Sequence, residues 1–279
     1  MSAHASPALA PPVTVRPSVM APVRALAWRE VVRFVRQPAR VAGALATPIV
    51  FWLLIGGGVG TAFVVPGGDG AARGTYLQYF FPGTVLMILL FTAIFATISI
   101  IEDRREGFLQ SVLVAPVPRL SIVLGKVFGG AGLALAQAAA FLLLAPLAGV
   151  PLTWGGVALA LIVMAVLAIG LTALGVCIAW PMGSTQGFHA VMNLLLMPMW
   201  FLSGALFPAS TAWPGLRAVM LANPLTWGLD ALRQALHDGP AALGSTRWWI
   251  SSAVATTFAV AMLLLAARIA DRRGEVARG

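Results

Sequence analysis

Six long apolar runs divide the chain, and short stretches that contain polar residues or proline separate them. The runs cover approximately residues 41–65, 79–101, 122–150, 157–180, 190–207 and 249–267. A helix needs about 20 apolar residues to cross a bilayer core about 30 Å thick. Strands of a membrane barrel would alternate in polarity, whereas these runs are apolar on every face. The pattern predicts an all-α polytopic membrane protein with six transmembrane helices.

The segment before the first run predicts an amphipathic helix over residues 25–40. Its arginines recur at i, i+4, i+7 and i+11, so they share one side of a helix, while apolar residues such as Trp28 cover the opposite side. We expect this helix to lie in the membrane interface with its arginines toward lipid headgroups. A generic basic flank is the alternative. The arginines are Arg29, Arg33, Arg36 and Arg40.

The connection between the second and third runs begins with five consecutive charged residues of both signs. Mixed signs indicate a docking surface and not merely a positive cluster that sets topology. The next residues predict a short helix with one apolar face, which prolines end. From the residues alone, this helix is either a lever for a soluble partner or a turn packed on its own bundle. The charged residues are Glu102, Asp103, Arg104, Arg105 and Glu106, the apolar face is Phe108, Leu109, Val112 and Leu113, and the prolines are Pro116 and Pro118.

The connection between the last two runs is about forty residues long, and it is both apolar and interrupted by prolines. Irregular backbone at membrane depth must be buried against protein or line a cavity. The segment therefore predicts short re-entrant helices packed on the outer end of the bundle. A small folded external cap is the alternative.

Composition and charge agree with a membrane protein. The chain is 59% apolar and 10% charged, and its net charge is +9. The basic residues lie between apolar spans and not in a soluble basic domain. Anionic membrane lipids are therefore the expected partner of this charge, and nucleic acid is not. Fourteen Lys and Arg residues lie on the side of the termini and four on the other side. The positive-inside rule then places both termini in the cytoplasm, with the protein in the inner (plasma) membrane of the cell.

Catalytic chemistry has little support in the sequence. No G-x-x-x-x-G-K-[ST] motif occurs, so ATP would have to be hydrolysed by a separate polypeptide. None of the six runs has a charged residue in its middle, which disfavours an ion-coupled carrier, and no convergent groups suggest a lipid-handling enzyme. Three His and one Cys are too scattered for a metal site. We predict no catalytic residue, metal or cofactor in this chain.

Three sequence blocks, in order, resemble the type 2 ABC exporter permeases. They are EGFLQSVLVAPVPRLSIVLGK after the second run, with Gly107 in the family's place, PMWFLSGALFPAS at the end of the fifth run, and NPLTWGLDALR in the long connection. Trp227 stands where the family often has tyrosine. The resemblance covers roughly residues 25–270, between tails at 1–24 and 271–279. In the external segment it falls on Ser203, Gly204, Phe207, Pro208, Asn223 and Pro224.

The resemblance implies a permease subunit that exports a hydrophobic or amphiphilic substrate, such as a drug, a lipid or a lipid-linked glycan, by alternating access. It also implies a second permease copy, either identical or similar, and two ATPase subunits that bind ATP and Mg. A groove on those subunits would receive the short cytoplasmic helix after Glu106. The expected path residues, a set that is also typical of plain helix packing, are Phe91, Thr92, Phe95, Asn193 and Met197.

Overall fold

The computed structural model describes residues 19–59, 75–114 and 117–276, and within these residues it contains helices and no strands. The α-helices, in chain order, are α1 Met20–Val35, α2 Pro38–Val59, α3 Tyr76–Ala96, α4 Ile98–Arg105, α5 Phe108–Val114, α6 Arg119–Leu142, α7 Trp154–Ala179, α8 Thr185–Trp200, α9 Pro214–Ala222, α10 Pro224–His237 and α11 Thr246–Val276.

Five helical stretches in the described residues are long and apolar enough to cross a membrane. They are Tyr76–Arg105, which joins α3 and α4, Arg119–Leu142, Trp154–Ala179, Thr185–Ala205 and Thr246–Asp271. In the place of the first predicted run, α2 carries a shorter apolar helix at Leu45–Gly58. The all-helical, membrane-spanning class is confirmed, and the count of six spans stays a prediction.

Two helix boundaries differ from those that the hydrophobic pattern of the sequence predicts, and proline causes both differences. The predicted helix over residues 25–40 is divided, since α1 ends at Val35 and Pro38 begins α2. Proline disfavours the helical conformation in the residue before it and provides no backbone N–H. The third run continues to residue 150, but α6 ends at Leu142 and a 3₁₀ turn that contains Pro146 follows. The predicted tails at 1–24 and 271–279 are shortened, since residues 20–24 already belong to α1 and residues 271–276 to α11, and residues 1–18 and 277–279 lie outside the described residues.

The helix pair α3–α4 lies at the centre of the bundle. In its most apolar window 83% of the residues are buried inside the chain, against 22% for the window of α11. Helices α2, α6 and α7 pack around α3, and α10 and α11 pack on α7. Aromatic rings fasten α2 to this core: the Trp52 ring meets Phe81 and Phe141 edge-on, and those two rings stack at 4.9 Å. The outer helix α11 therefore presents most of its surface to the surroundings.

Close contact between α1 and α6 depends on a glycine. A Cβ atom added at Gly129 would lie 2.8 Å from the Cβ of Glu30 and 3.2 Å from the Cα of Ala27. No larger residue fits there unless the two helices move apart. This contact holds the polar side of α1 against the beginning of α6.

Candidate functional site

A buried ionic cluster joins α1, α4 and α6 at the end of the bundle that the charge count assigns to the cytoplasm. At its centre, Asp103 is fully buried. Arg29 donates to both of its carboxylate oxygens, from Nη1 to Oδ2 at 2.9 Å and from Nη2 to Oδ1 at 2.7 Å, and Arg33 Nη1 donates to Oδ1 at 3.0 Å. Charge-assisted contacts of this kind offset the cost of burying a carboxylate. Asp103 thereby ties α1 to α4.

Lys126 extends the cluster into α6. The residue is 4% exposed, and its ammonium group donates to Glu30 Oε1 at 2.5 Å, to Ser99 Oγ at 3.0 Å and to the Asp103 carboxylate. A lysine within an apolar helix needs such partners, because an isolated buried ammonium is very costly. The three acceptors lie on α1 and α4, so Lys126 joins all three helices.

This cluster corrects the predicted orientation of α1. The sequence predicts arginines that face lipid headgroups, but Arg29 and Arg33 point into the bundle, because the buried acids of α4 need cations there. Arg36 is exposed at the end of α1, and Trp28 is 69% exposed. The side chain of Arg40 lies outside the described residues.

The predicted docking surface of five charges also proves to be largely internal. Asp103 is buried, and Glu102 pairs with Arg33 at 2.8 Å. Arg104 donates to the carbonyl oxygens of Met182 at 2.8 Å and Trp180 at 2.7 Å. The remaining two are more exposed: Arg105 donates to the Gly183 carbonyl at 3.3 Å, and the Glu106 side chain is 60% exposed. These charges fix the connection to the helices around it.

Helix α5 is anchored to the cluster through Arg29. The guanidinium carbon of Arg29 lies 3.7 Å from the centroid of the Phe108 ring, a cation–π contact, while the same group holds Asp103. The hydrogen bond to Asp103 is the largest cause that raises the pKa of Arg29 above its ordinary value. Leu109 is buried against the bundle. A displacement of α5 therefore pulls on α1 and α4 together.

The two faces of α5 differ as the periodicity predicts. Phe108, Leu109 and Val112 pack on the chain's own core, whereas Gln110 and Ser111 are exposed. The apolar face of α5 is packed on the chain's own bundle, which was one of the two alternatives for this helix. The polar face is exposed and could contact a partner. Gly107 begins the turn with φ +77° and Pro118 precedes α6. The Leu113 side chain and Pro116 lie outside the described residues.

A cavity of about 610 Å³ lies next to the cluster, between α1, α2, α3, α4 and α8. Among the predicted path residues, Phe91, Thr92, Phe95 and Met197 line it. Asn193 does not line it but is exposed, because the apolar window of α8 is only 39% buried within the chain. Sequence reasoning missed other residues of the lining, including Phe34, Phe51, His189 and Glu102. The volume is in the range of pockets that hold small molecules.

One wall of this cavity carries a buried polar bridge. The Thr92 hydroxyl donates to Oε1 of Gln137, which joins α3 to α6. Gln137 is 6% exposed, and its Nε2 has no hydrogen-bond partner among the described residues. Gln137 therefore serves as a hydrogen-bond partner between two helices.

At the opposite end of the bundle, α8 ends in a π-helical turn, Phe201–Ala205, in which Gly204 adopts φ +86°. This turn frees backbone carbonyl groups. The Gly204 oxygen accepts hydrogen bonds from Tyr79 Oη and Arg233 Nη2, both at 2.8 Å. Tyr76 Oη donates to the Leu206 oxygen at 2.9 Å. Ser203 is buried and donates to the carbonyl of Trp200.

The block around Asn223 completes this anchor. Asn223 Nδ2 donates to the Met199 oxygen at 2.6 Å, and its Oδ1 caps α10 by accepting from the Leu225 N–H at 3.0 Å. Pro224 occupies the first position of α10, where proline is favoured. Phe207 and Pro208 are half-buried before a short 3₁₀ turn, Ala209–Thr211. Short helices α9 and α10 are thereby fastened to the end of α8.

Several residues of the site escaped prediction from the sequence. The sequence assigns no role to Glu30 or Tyr79, and it gives Lys126 and Arg233 only as basic residues within the blocks that resemble the family. One signal was available: Lys126 is followed by apolar residues, and a cation in an apolar helix requires a buried anion. Because Lys126 is far from Glu30 in the sequence, the sequence alone does not identify Glu30 as that anion.

These features define a multi-pass membrane protein with a cavity between its helices and a buried ionic cluster at one end of the bundle. Comparison with known proteins assigns the family: the sequence profile described as ABC-2 type transporter matches residues 22–237, and the chain belongs to this family. Its members are transport permeases that normally work with an ATPase subunit.

Named relatives agree with this assignment. The chain is 30% identical over 203 residues to Nodulation protein J of Sinorhizobium fredii (strain NBRC 101917 / NGR234). The aligned region covers 72% of this chain and 76% of that relative. It is 26% identical over 210 residues to a transport permease, ycf38, of Cyanophora paradoxa. The aligned region covers 75% of this chain and 71% of that relative. It is 23% identical over 217 residues to the daunorubicin resistance ABC transporter permease protein DrrB1 of Streptomyces coeruleorubidus. The aligned region covers 75% of this chain and 73% of that relative.

Proposed function

We propose that this chain is the membrane-spanning subunit of an ATP-driven exporter in the inner membrane, with six spans and both termini in the cytoplasm. It pairs with a second permease copy and with two ATPase subunits, which bind the ATP and Mg. The cargo is hydrophobic or amphiphilic and moves outward by alternating access. The family assignment supports the membrane-subunit role, and the name of one relative contains daunorubicin resistance.

The observation that carries the proposal is the connection from α5 to the buried cluster. Phe108 on α5 contacts Arg29, Arg29 holds Asp103 on α4, and Asp103 accepts from Lys126 on α6. Separating a buried ionic pair is strongly destabilising, because it leaves an uncompensated charge in the interior. A push on the exposed face of α5 by an ATPase would therefore reach three helices at once.

The cavity supports the choice of cargo. Its described lining includes phenylalanine and methionine side chains from α2, α3 and α8, such as Phe51, Phe91 and Met197. Apolar and aromatic walls favour molecules with substantial apolar surface. Two of the lining residues, Phe34 and Glu102, belong to α1 and α4, so the cavity borders the helices that α5 would move.

Cysteine labelling tests the side of the membrane on which α5 lies. In a Cys177→Ala background, Gln110→Cys places a thiol on the exposed face of α5. A membrane-impermeant maleimide should label it in inside-out vesicles and leave it unlabelled in right-side-out vesicles. Labelling from the outer side would contradict the proposed topology.

Coupling is tested with the ATPase that co-purifies with the full-length permease. Phe108→Ala removes the ring that contacts Arg29, and we expect it to lower transport-coupled ATP hydrolysis about tenfold while the ATPase remains bound. Phe128→Ala is the matched control, because that ring is 45% exposed on α6 and takes part in no cation–π contact among the described residues. Equal rates for the two variants would contradict the proposed coupling.

A further inference from the structure

Hydrogen bonds attach α8 to other helices at its two ends. At the end with the π-helical turn, Trp200 Nε1 donates to the Gly83 oxygen of α3 at 2.9 Å, in addition to the bond from Asn223. Along its length α8 packs on α3 and α4, and Leu194 is 80% exposed. Helix α7, in contrast, packs on α3, α6, α10 and α11. Because a segment with fewer packed neighbours costs less to move, α8 is displaced more easily than α7.

Two arginines of α4 and its end hold the loop that precedes α8, residues 180–184, called the α7–α8 loop below. Arg104 donates from Nη1 to the Met182 oxygen at 2.8 Å and from Nη2 to the Trp180 oxygen at 2.7 Å. Arg105 Nε donates to the Gly183 oxygen at 3.3 Å. The last carbonyl groups of a helix lack intrahelical donors, and a planar guanidinium can bind two of them in a fixed geometry. The α7–α8 loop is therefore joined to α4.

Adjacent residues of α4 connect to different helices. Asp103 is held by Arg29 of α1 and Lys126 of α6, whereas Arg104 reaches the α7–α8 loop. Consecutive residues of a helix point about 100° apart, so one short helix can hold both sets of partners. A push on α5 that moves α4 would thus have two routes. One runs through Asp103 to α1 and α6, and the other runs through Arg104 to α8.

Helix α8 forms one wall of the cavity. Thr185, His189 and Met197 line it, and the His189 ring lies 5.7 Å from the ring of Phe95 on α3. The far end of α8 is fastened by its hydrogen bonds to α3 and to the block around Asn223. A shift of the α7–α8 loop would therefore tilt α8 about that end and change the width of the cavity beside Phe95.

We propose that Arg104 is a positioning residue that passes the movement of α4 to the α7–α8 loop, so that α8 tilts and the cavity wall moves when the ATPase acts. The inference rests on the proposed function, in which an ATPase moves α5, and it adds a route of coupling that does not pass through α1. Arg104 acts through the carbonyl groups of Trp180 and Met182 and touches no cargo. A purely structural role would affect α1 and α8 alike, whereas this role affects α8 alone.

Two fluorescent reporters separate the two routes. In the full-length Cys177→Ala permease with its co-purifying ATPase, bimane is attached to Leu194→Cys on α8 or to Val35→Cys on α1, at positions 80% and 65% exposed. Fluorescence in nanodiscs is compared with and without ATP plus vanadate. With Arg104 in place, we expect a change at both positions. Arg104→Met should abolish the change at position 194 and keep the change at position 35. Arg104→Lys, which keeps a cationic donor, should restore most of the change at position 194.

Arg268→Met is the matched control, because it removes an exposed arginine of α11, a helix outside both routes. It should leave the changes at positions 194 and 35 intact. An undiminished change at position 194 in Arg104→Met, or equal losses at the two positions, would overturn the role of Arg104 and leave the proposed function standing.

If Arg104→Met does not fold, the protein with Arg104 still decides. Changes at both positions then support the second route, and a change at position 35 without one at position 194 overturns the movement of α8. Absence of any ATP-dependent change at both positions would overturn the proposed function itself.

Discussion

Replacing Lys126 with methionine measures how much the ionic cluster contributes to stability. Methionine keeps most of the side-chain volume but removes the ammonium that donates to Glu30 at 2.5 Å and to Ser99 at 3.0 Å. Glu30 is 5% exposed, and among the described residues it would keep only Arg29, 3.7 Å away. Removal of one partner from a buried pair costs about 3–5 kcal/mol, since the other charge is left buried. We expect Lys126→Met to lower the free energy of unfolding by that amount.

A double variant separates the charge effect from packing. Glu30→Met combined with Lys126→Met removes the stranded carboxylate, while Asp103 keeps Arg29 and Arg33. The double variant should therefore be more stable than Lys126→Met alone. Arg247→Met is the control, because Arg247 pairs with Asp230 while its side chain is 73% exposed, and loss of such a pair costs about 1 kcal/mol or less.

Unfolding in detergent micelles, followed by tryptophan fluorescence during titration with sodium dodecyl sulfate, gives these free energies. The reasoning fails if Lys126→Met costs no more than Arg247→Met. It fails equally if the losses of the Glu30→Met and Lys126→Met single variants simply add in the double variant, because stranded charges cannot produce additive losses.

Three further variants test packing, backbone conformation and polar pairing in the same unfolding assay. Gly204→Ala should cost about 1–2 kcal/mol, because Gly204 has φ +86° and alanine is strained there; a neutral result would contradict the left-handed turn. Gly129→Ala should cost about 1–3 kcal/mol through contact with α1, whereas Gly132→Ala, with nothing within 4 Å of its Cβ, should be neutral. Thr92→Val should cost about 1–3 kcal/mol by leaving the Gln137 carbonyl without a donor, and adding Gln137→Leu should recover most of the loss; no recovery would show that the bridge contributes little.

The sequence predicts the helical architecture well, because a bilayer obliges each span to satisfy its backbone internally. Long apolar runs therefore correspond to helices, with errors where proline intervenes, as at Pro38. Helix capping is equally local. The side chains of Thr153 and Ser184 accept hydrogen bonds from the backbone N–H groups of Gly156 and Gly187 and so cap the beginnings of α7 and α8.

Long-range pairing is less accessible to prediction. A lysine in an apolar helix requires an anion, but several carboxylates are near the membrane surface in the sequence. Only the fold brings Glu30 of α1 and Asp103 of α4 to Lys126. The same holds for α5, since its periodicity defines two faces, whereas the contact of Arg29 with Phe108 determines which face turns inward.

The path residues show an intermediate case. Aromatic residues on α3 repeat at helical spacing, so Phe91 and Phe95 are predicted together and both line the cavity. Asn193 lies between His189 and Met197 on α8, and periodicity groups the three. The structure separates Asn193 from this lining, because neighbouring helices and not periodicity alone determine which part of a helix face is covered.

The acceptors that anchor α3 and α10 to the end of α8 are main-chain oxygens, those of Met199, Gly204 and Leu206 among them. A main-chain oxygen is present whichever side chain its residue carries. Most side chains at the end of α8 can therefore be exchanged during evolution while Tyr76, Tyr79 and Asn223 keep their bonds. This end of the bundle is free to diversify in shape and polarity on an unchanged support.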